Sequence, residues 1–324
     1  MSASIYAAGQ LDEVLTDGIV PFWQHLEPPA EAYLWLVRYD LGGEHLAIRV
    51  HGPDTLGEPA WHQLEHTLEP VLASQPEATP ERGKSWWGNL RKPPLDPEDR
   101  QVHDDRTLSR TTYRRSPVSL GARPLIDDDT FATLLTRGLS QGCAELLTVA
   151  AEGELANERQ STLLRLLITG LTAIEERSDY LAYHRDWLIR YPSLKVNVKA
   201  DAAETILGRF DQFCARRPEL LERLSAWSAA AWNDGATFDS NGDFSPAVQA
   251  LVDHVASFGD DPTYRSDPYA PSPVFPSLFK LFHGIANQLG VSPSDEAYTH
   301  HLLLRSVAPE STKPFSLIPV AQST

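Results

Sequence analysis

The stretch WLVRYDLGGEHLAIRVHGP, residues Trp35 to Pro53, predicts a β-hairpin and therefore a sheet in the N-terminal half of the chain. Two strand-like runs flank a turn with Gly42 and Gly43, and glycine adopts a positive φ at no steric cost. Alternate side chains of a strand point to opposite faces, so the second run has one apolar and one polar face. The apolar face holds Leu46, Ile48 and Val50, and the polar face holds His45, Ala47, Arg49 and His51. Arg38, near the turn on the partner run, is expected to join this polar face. The polar face can bind an anion or move a proton, although a solvent-exposed edge hairpin would show the same pattern.

The rest of the chain indicates an α+β protein whose N-terminal half carries the sheet and whose C-terminal half is mainly helical. A helix is predicted at 58–74, and five long segments after Asp127 have apolar residues at helical spacing. We expect a lobe at 1–125 with an antiparallel-containing sheet and flanking helices, and a helical lobe at 126–310 that completes the active site. Residues 311–324 form a tail, and the two lobes are expected to make one compact unit.

Composition limits the classes of protein that fit. With 42% apolar and 22% charged residues, the 324-residue chain has ordinary globular values. Its formal charge of −16 argues against a nucleic acid partner, because binding to phosphates depends on Lys and Arg. No stretch approaches the ~18 apolar residues of a membrane span, so we predict a cytoplasmic protein that does not bind membranes. The two cysteines, Cys143 and Cys214, lie in apolar surroundings and are interpreted as small buried residues.

The sequence also lacks the common motifs for metals and cofactors. It contains no HExxH, GxxxxGK[ST], GxGxxG or GxSxG pattern. We therefore predict chemistry that uses no cofactor and no metal.

The last predicted helix carries a cluster of polar residues. Ser292 and Pro293 are typical of a helix start. Three residues project from one side of this helix, and the neighbouring His300 lies about 100° away from them. These three are Tyr298, His301 and Arg305. They are suited to proton transfer and anion binding, although a lone histidine on a helix is more often structural. Ser266, in the preceding proline-rich loop, is a candidate hydroxyl donor.

A loop predicted at 76–115 contains a basic and aromatic segment, residues 82–115. It holds nine of the 28 cationic residues of this acidic chain. The cations are Arg82, Lys84, Arg91, Lys92, Arg100, Arg106, Arg110, Arg114 and Arg115, and Trp86, Trp87 and Tyr113 lie among them. Such a segment favours an acidic partner, with the aromatic residues as anchors, although a solvated charged loop has the same composition.

Three stretches resemble a bacteriocin-biosynthesis family. The stretches are IYAAGQLDEVLTDGIVPFWQHL, WLVRYDLGGEHLAIRV and the near-terminal helix with His300, His301 and Arg305. The family includes the glutamate-elimination domain of lantibiotic dehydratases and the stand-alone enzymes of thiopeptide pathways. Its members are similar in a His-Leu-Arg-Leu-Arg motif and in a C-terminal His-x-x-x-Asn-Arg-Leu motif.

The departures from these motifs point to one branch of the family. Ala47 stands where glutamate-eliminating members carry an arginine, and Leu304 and Ser306 replace the Asn and Leu of the second motif. The segment after Tyr113 lacks their Glu and Arg-Tyr-Gly-Gly run. Losing cations weakens a site for a glutamyl carboxylate. The resemblance therefore implies a thiopeptide pyridine synthase.

Such an enzyme joins two dehydroalanines of a ribosomally made precursor peptide by a formal aza-[4+2] cycloaddition, then loses water and the leader peptide. By this resemblance, Tyr298 and either His300 or His301 transfer protons, with Ser266 as a second donor. The acidic leader fits the basic segment, and the residues expected to bind the peptide are Arg38, His45, Arg49, Trp86, Trp87, Arg91, Tyr113, Arg114, Arg115 and Arg305. Two rival functions remain open, which are glutamate elimination from glutamylated serines and a leader-binding scaffold without activity.

Overall fold

The computed structural model describes residues 1–39, 44–76, 104–110, 125, 127–196, 200–259, 261, 264, 267 and 270–310, without the side chains of 39, 190–196 and 200–202. The chain divides into two compact units. Unit 1 comprises Met1–Arg114 and Cys143–Glu158, and unit 2 comprises Arg115–Gly142 and Arg159–Thr324. The predicted α+β class is confirmed, with one antiparallel sheet near the N-terminus and helices through the C-terminal half. The predicted lobes at 1–125 and 126–310, and their association as one compact unit, stay predictions.

Unit 1 contains a four-stranded sheet in the order β2-β3-β1-β4, and every neighbouring pair is antiparallel. The strands are β1 (Ser2–Tyr6), β2 (Tyr33–Tyr39), β3 (His45–His51) and β4 (Thr107–Arg110). The predicted hairpin is confirmed as the pair β2 and β3. Its turn lies outside the described residues.

The helices in the first part of unit 1 have regularly spaced apolar residues, and two of them pack closely at a glycine. The α- and π-helices that precede β4 are α1 (Leu11–Glu13), a π-helical segment (Val14–Ile19), α2 (Val20–Leu26) and α3 (Gly57–Ser74). The buried side of α3 repeats every four residues at Ala60, Leu64, Leu68 and Leu72, as an amphipathic helix requires. A Cβ on Gly18 would lie 2.5 Å from Leu68 Cδ2, so the π-helical segment packs against α3 through a glycine.

The described helices of the second half are α4 (Asp129–Ala151), α5 (Leu155–Gly170), α6 (Arg177–Val196), α7 (Ala200–Ala215), α8 (Pro218–Asp234), α9 (Phe244–Ala256), α10 (Val274–Leu289) and α11 (Pro293–Val307). Helix α11 contacts α6, α7, α8 and α10. It is buried on nearly all sides, which makes it the central helix of unit 2. Within the described ranges, no helix combines the length and the apolar character that a membrane crossing requires.

Helices α4 and α10 approach each other closely in unit 2 because glycines of each helix face branched side chains of the other. A Cβ on Gly138 would lie 2.8 Å from Leu281 Cδ1, and a Cβ on Gly284 would lie 2.6 Å from Leu139 Cδ2. Real Cβ atoms do not come this close to other carbon atoms, so the spacing of the two helices depends on the missing side chains.

We expect Gly142→Ala to lower the free energy of unfolding by about 1 to 3 kcal/mol, because it overpacks this contact. Its Cβ would lie 2.7 Å from Ile285 Cγ1. The matched control is Gly208→Ala in α7, where a Cβ would meet nothing within 4 Å. This control should raise the free energy by about 0.5 to 1 kcal/mol, since alanine favours a helix over glycine. Urea denaturation measures both values, and a shift of the same sign in both variants would contradict the packing described for α4 and α10.

Candidate functional site

The polar face of β3 is present as predicted. Leu46, Ile48 and Val50 are buried on one face of the strand, while the alternate positions after His45 are half-buried or exposed. The register extends this face across the sheet, because Ala47 pairs with Val37 on one side and with Ser4 on the other. The predicted alternation is therefore confirmed.

Arg49 is fixed in this face by two neighbouring strands. Its guanidinium lies 5.3 Å from the centre of the Trp35 ring, and its Nη1 donates a hydrogen bond of 3.2 Å to Ser2 Oγ. A cation held over an aromatic ring keeps its charge and loses side-chain freedom. Arg49 is therefore an oriented cation in the polar face of the sheet.

His51 and His45 occupy the two ends of the row. The ring of His51 stacks on Tyr33 at 4.8 Å, and its Nε2 accepts a hydrogen bond of 3.3 Å from Trp35 Nε1. Burial lowers the pKa of His51, and the Met1 ammonium and Arg49 lower it further, in agreement with a neutral ring that accepts. His45 is buried, and its ring lies 4.6 Å from that of Tyr6.

Arg38 lies on the other face of the hairpin. It lies two residues after Leu36 in β2, which places both on the same face, and it pairs with Leu46, so it points away from the row of His45 and Arg49. Its Nη2 forms an ion pair of 2.8 Å with Asp12 Oδ1. The expectation that Arg38 joins this row is therefore wrong, because strand alternation separates it from the row.

The start of α11 is confirmed as predicted. The Ser292 side chain accepts a hydrogen bond of 3.2 Å from the backbone N–H of Asp295, and Pro293 occupies the first turn. This cap begins a helix that carries five buried polar side chains into unit 2, which are Glu296, Thr299, His300, His301 and Ser306.

Glu296 is the centre of a buried hydrogen-bond network that the sequence did not predict. Its side chain is 1% exposed, and its two oxygens accept hydrogen bonds of 2.7 Å from His184 Nε2 and 2.8 Å from His283 Nδ1. Burial alone would raise the pKa of this carboxyl, but the charge of His283 and both hydrogen bonds hold it well below its usual value. The network therefore contains a buried carboxylate that links α6, α10 and α11.

The carboxylate at the centre of this network determines which imidazole nitrogens carry protons. A carboxylate only accepts, so both imidazoles donate to Glu296. Burial opposes the charge of His283, but the carboxylate raises the pKa of His283 overall, so His283 forms the cationic half of the pair. Burial lowers the pKa of His184, which stays neutral and accepts from the Tyr180 hydroxyl at 2.8 Å through Nδ1.

His300 is part of this network and not of the surface. Its ring is fully buried and stacks on His184 with centroids 3.8 Å apart. Its Nδ1 donates to the Glu296 carbonyl oxygen at 2.9 Å, and its Nε2 has no hydrogen-bond partner among the described residues. Burial lowers the pKa of His300 well below its usual value. His300 is therefore a neutral imidazole whose Nε2 has no hydrogen-bond partner among the described residues.

His301 and Arg305 converge on Asp211 of α7. His301 Nε2 donates to Asp211 Oδ1 at 3.1 Å, and Arg305 Nε lies 3.4 Å from the same oxygen. Arg185 donates to the other ring nitrogen of His301 at 3.2 Å. Burial lowers the pKa of His301 to about 4, with help from the charge of Arg185. The imidazole is thus neutral and fixed between an arginine and a carboxylate.

Tyr298 projects to the same side as His301 and Arg305, as its spacing predicted. Its ring packs against Phe210 at 5.3 Å and against Phe213 at 6.1 Å, both from α7. Burial raises the pKa of the Tyr298 hydroxyl, and the neighbouring Cys214 thiol raises it further. The hydroxyl is therefore protonated at neutral pH and can donate a hydrogen bond.

Both cysteines are buried and free, as predicted. Burial raises the pKa of the Cys143 thiol to about 12 and that of Cys214 to about 11, so neither is a nucleophile at neutral pH. Among the described residues, no three His, Cys, Asp or Glu side chains are grouped to hold a metal ion.

Comparison with known proteins identifies the family of this chain. The family model for the C-terminal part of lantibiotic biosynthesis dehydratases matches residues 1–307. This chain belongs to that family. A solved structure, "Pyridine synthase, TbtD, from thiomuracin biosynthesis", is similar with a TM-score of 0.66 over 95% of this chain and 97% of that chain. The identity is 15%, so the likeness concerns the fold. Comparison with curated protein sequences gives no significant match.

Membership of the lantibiotic dehydratase family confirms the resemblance found in the sequence. The structure gathers the predicted site residues into separate groups, with His45 and Arg49 in the sheet and Tyr298, His301 and Arg305 along one side of α11. Seven predicted site residues lie outside the described part of this family member, and their assignment stays a prediction. They are Ser266, Trp86, Trp87, Arg91, Tyr113, Arg114 and Arg115.

One sequence pattern of this family member indicates the buried hydrogen-bond network around Glu296. Tyr180 and His184, and likewise Glu296 and His300, are spaced four residues apart on helices, which places each pair on one face. A polar pair of this kind inside an otherwise apolar helix indicates buried hydrogen bonding. His283 has no such local partner.

Proposed function

We propose that the chain is a thiopeptide pyridine synthase. It would join two dehydroalanines of a ribosomally made precursor peptide by a formal aza-[4+2] cycloaddition, forming a six-membered ring that contains nitrogen. Loss of water and expulsion of the leader peptide as a carboxamide then produce the pyridine. The observation that carries this proposal is the alanine at position 47, in the middle of the polar face of the sheet.

Ala47 separates ring formation from glutamate elimination. Elimination must hold a glutamyl carboxylate and its leaving anion, which needs several fixed cations. Ala47 has Val37 and Ser4 as cross-strand neighbours, so no cationic side chain lies at these three paired positions of β1, β2 and β3. Arg49 is the remaining oriented cation of β3, and its position over Trp35 suits a neutral carbonyl or a departing amide.

Binding and orientation would supply much of the rate, because the two dehydroalanines must meet across a large peptide loop. Proton transfers assist the later steps, since one amide must become its iminol and water must leave. We propose Tyr298 as the hydrogen-bond donor for these steps, because its hydroxyl is held in the protonated form. His301 would orient the neighbouring groups through Asp211 and Arg185, and His300, with its ring fully buried, would act as a positioning residue.

The reaction is tested by incubating the protein with a leader-bearing peptide that contains two dehydroalanines. Mass spectrometry should detect a pyridine macrocycle and an intact leader carboxamide. In a parallel incubation, a glutamylated serine peptide should release no glutamate. Release of glutamate with the leader still attached would instead indicate elimination, and peptide binding without any product would indicate a scaffold.

We predict that Arg49→Ala slows pyridine formation by about tenfold to a hundredfold in kcat/KM, because it removes a charged hydrogen-bond donor of the polar face. Arg137→Ala is the control, since Arg137 is an exposed arginine of α4 that lies outside both the polar face of the sheet and the basic segment. Product formation is followed by mass spectrometry at several peptide concentrations. Equal losses in the two variants would refute a specific role for Arg49.

A further inference from the structure

The end of α7 presents a basic and aromatic surface that the proposed reaction does not use. We call it the α7 patch, and it consists of Arg209, Phe213, Arg216 and Arg217. Phe213 is 50% exposed and is the only large hydrophobic side chain so exposed in the described ranges. The three arginines are exposed as well. An exposed phenylalanine is unfavourable in water, so this surface is a candidate for an interaction.

The arrangement of the patch follows from helix geometry. Arg209 precedes Phe213 by four residues and Arg216 follows it by three, which places these side chains on one face of the helical segment. Arg217 lies at the start of α8. The Phe213 ring meets the Tyr298 ring edge to face at 6.1 Å and an interplanar angle of 77°. The exposed Phe213 ring therefore packs on the Tyr298 ring, which restricts its motion.

The charge of the patch is opposite to that of the chain. The whole chain has a formal charge of −16, yet three exposed arginines lie within four residues of Phe213 along the chain. The nearby carboxylate of Asp211 is already engaged by His301 and Arg305. Arginines near a helix end also favour the helix dipole, but that effect does not explain an exposed phenylalanine between them.

We infer that the α7 patch is a docking surface for an acidic peptide segment that carries an apolar side chain. The arginines would attract the carboxylates, and Phe213 would provide the apolar contact at the centre. The inference rests on the proposed function in one respect, which is that the segment would belong to the precursor peptide. Binding itself needs no dehydroalanine and no reaction.

The test is fluorescence anisotropy with two labelled synthetic peptides added to the full-length protein. One is a short peptide rich in Asp and Glu with a single Phe, and the other has Asn and Gln at the acidic positions. The acidic peptide should bind at least about tenfold more tightly, and its affinity should fall as NaCl rises from about 50 to about 500 mM. Phe213→Ala and the triple variant Arg209→Gln, Arg216→Gln, Arg217→Gln should each weaken binding by about tenfold or more.

The matched control changes two exposed arginines elsewhere in unit 2, Arg137→Gln and Arg223→Gln. Binding by this control should stay within about twofold of wild type. Equal binding of the two peptides, or wild-type affinity in both patch variants, would overturn the inference. Displacement of the acidic peptide by a single-stranded oligonucleotide at the same concentration would also overturn the inference. The patch would then bind any polyanion and would not be selective for a peptide with an apolar side chain. Since the probe peptides contain no dehydroalanine, their binding succeeds or fails independently of pyridine formation.

Discussion

Replacing Glu296 by glutamine should lower the free energy of unfolding by about 3 to 5 kcal/mol, because it removes the buried carboxylate that compensates the partly buried imidazolium of His283. His283 and His184 both donate to this carboxylate, which is 1% exposed. A glutamine amide presents N–H groups to one of the two imidazoles, so at least one buried N–H loses its acceptor. Thermal and urea unfolding, followed by circular dichroism, measure the loss.

The control for this prediction is Glu222→Gln on the exposed side of α8, which should change the free energy by no more than about 0.5 kcal/mol. A double-mutant cycle of Glu296→Gln with His283→Asn should give a coupling energy of at least about 1 kcal/mol. Additive losses in the cycle, or equal losses from the variants of Glu296 and Glu222, would show that the buried pair does not hold the helices together.

The sequence predicts local features of this fold well, because they depend on neighbours along the chain. The alternation along β3 fixes which side chains share a face, and the Ser292 cap fixes where α11 begins. The same logic assigns Arg38 to the apolar face, since it lies two residues after Leu36 in the strand. The prediction for Arg38 was wrong because it rested on the nearness of this residue to the turn. The face on which a strand residue lies depends instead on whether its position in the strand is odd or even.

The buried network could not be predicted in full from the sequence. Glu296 meets His184, which lies 112 residues away, and His283, which lies 13 residues away on another helix. Helix packing brings these side chains together, and no local pattern encodes that packing. The sequence indicates polar residues on the buried helix α11, but it does not show that His300 stacks on His184 or that His301 is bound by Arg185 and Asp211.

The stability of unit 2 should depend steeply on pH, because three of its buried imidazoles are neutral in the folded state. Burial lowers the pKa of His184, His300 and His301, whereas the unfolded chain binds protons at these residues near pH 6.5. The unfolded state therefore holds more protons in acid, and stability falls as the pH drops below about 6.5. Each imidazole contributes a slope of up to about 1.4 kcal/mol per pH unit. For His301 this loss ends near pH 4, where the folded state is protonated as well.

Two further groups limit the range of high stability. The lowered pKa of Glu296 adds a second loss below its usual value of 4.5, because the unfolded chain takes up that proton first. The raised pKa of His283 acts on the alkaline side, since its contribution is complete below pH 6.5 and is lost as the pH rises through the folded value. The free energy of unfolding should therefore rise from pH 4 to about 6.5, and the contribution of His283 should be lost above that pH.

Urea denaturation at a series of pH values between about 4 and 9 measures this profile, and His300→Gln should make the acid slope shallower by up to one proton. Gly142→Ala is the matched control, because it weakens the packing of α4 against α10 without altering an imidazole. It should lower the whole curve and leave its slope unchanged. A wild-type curve that is flat between pH 4 and 6.5 would mean that the three imidazoles carry protons in the folded protein. The neutral ring assigned to His300, with a bare Nε2 stacked beside His184, would then be wrong.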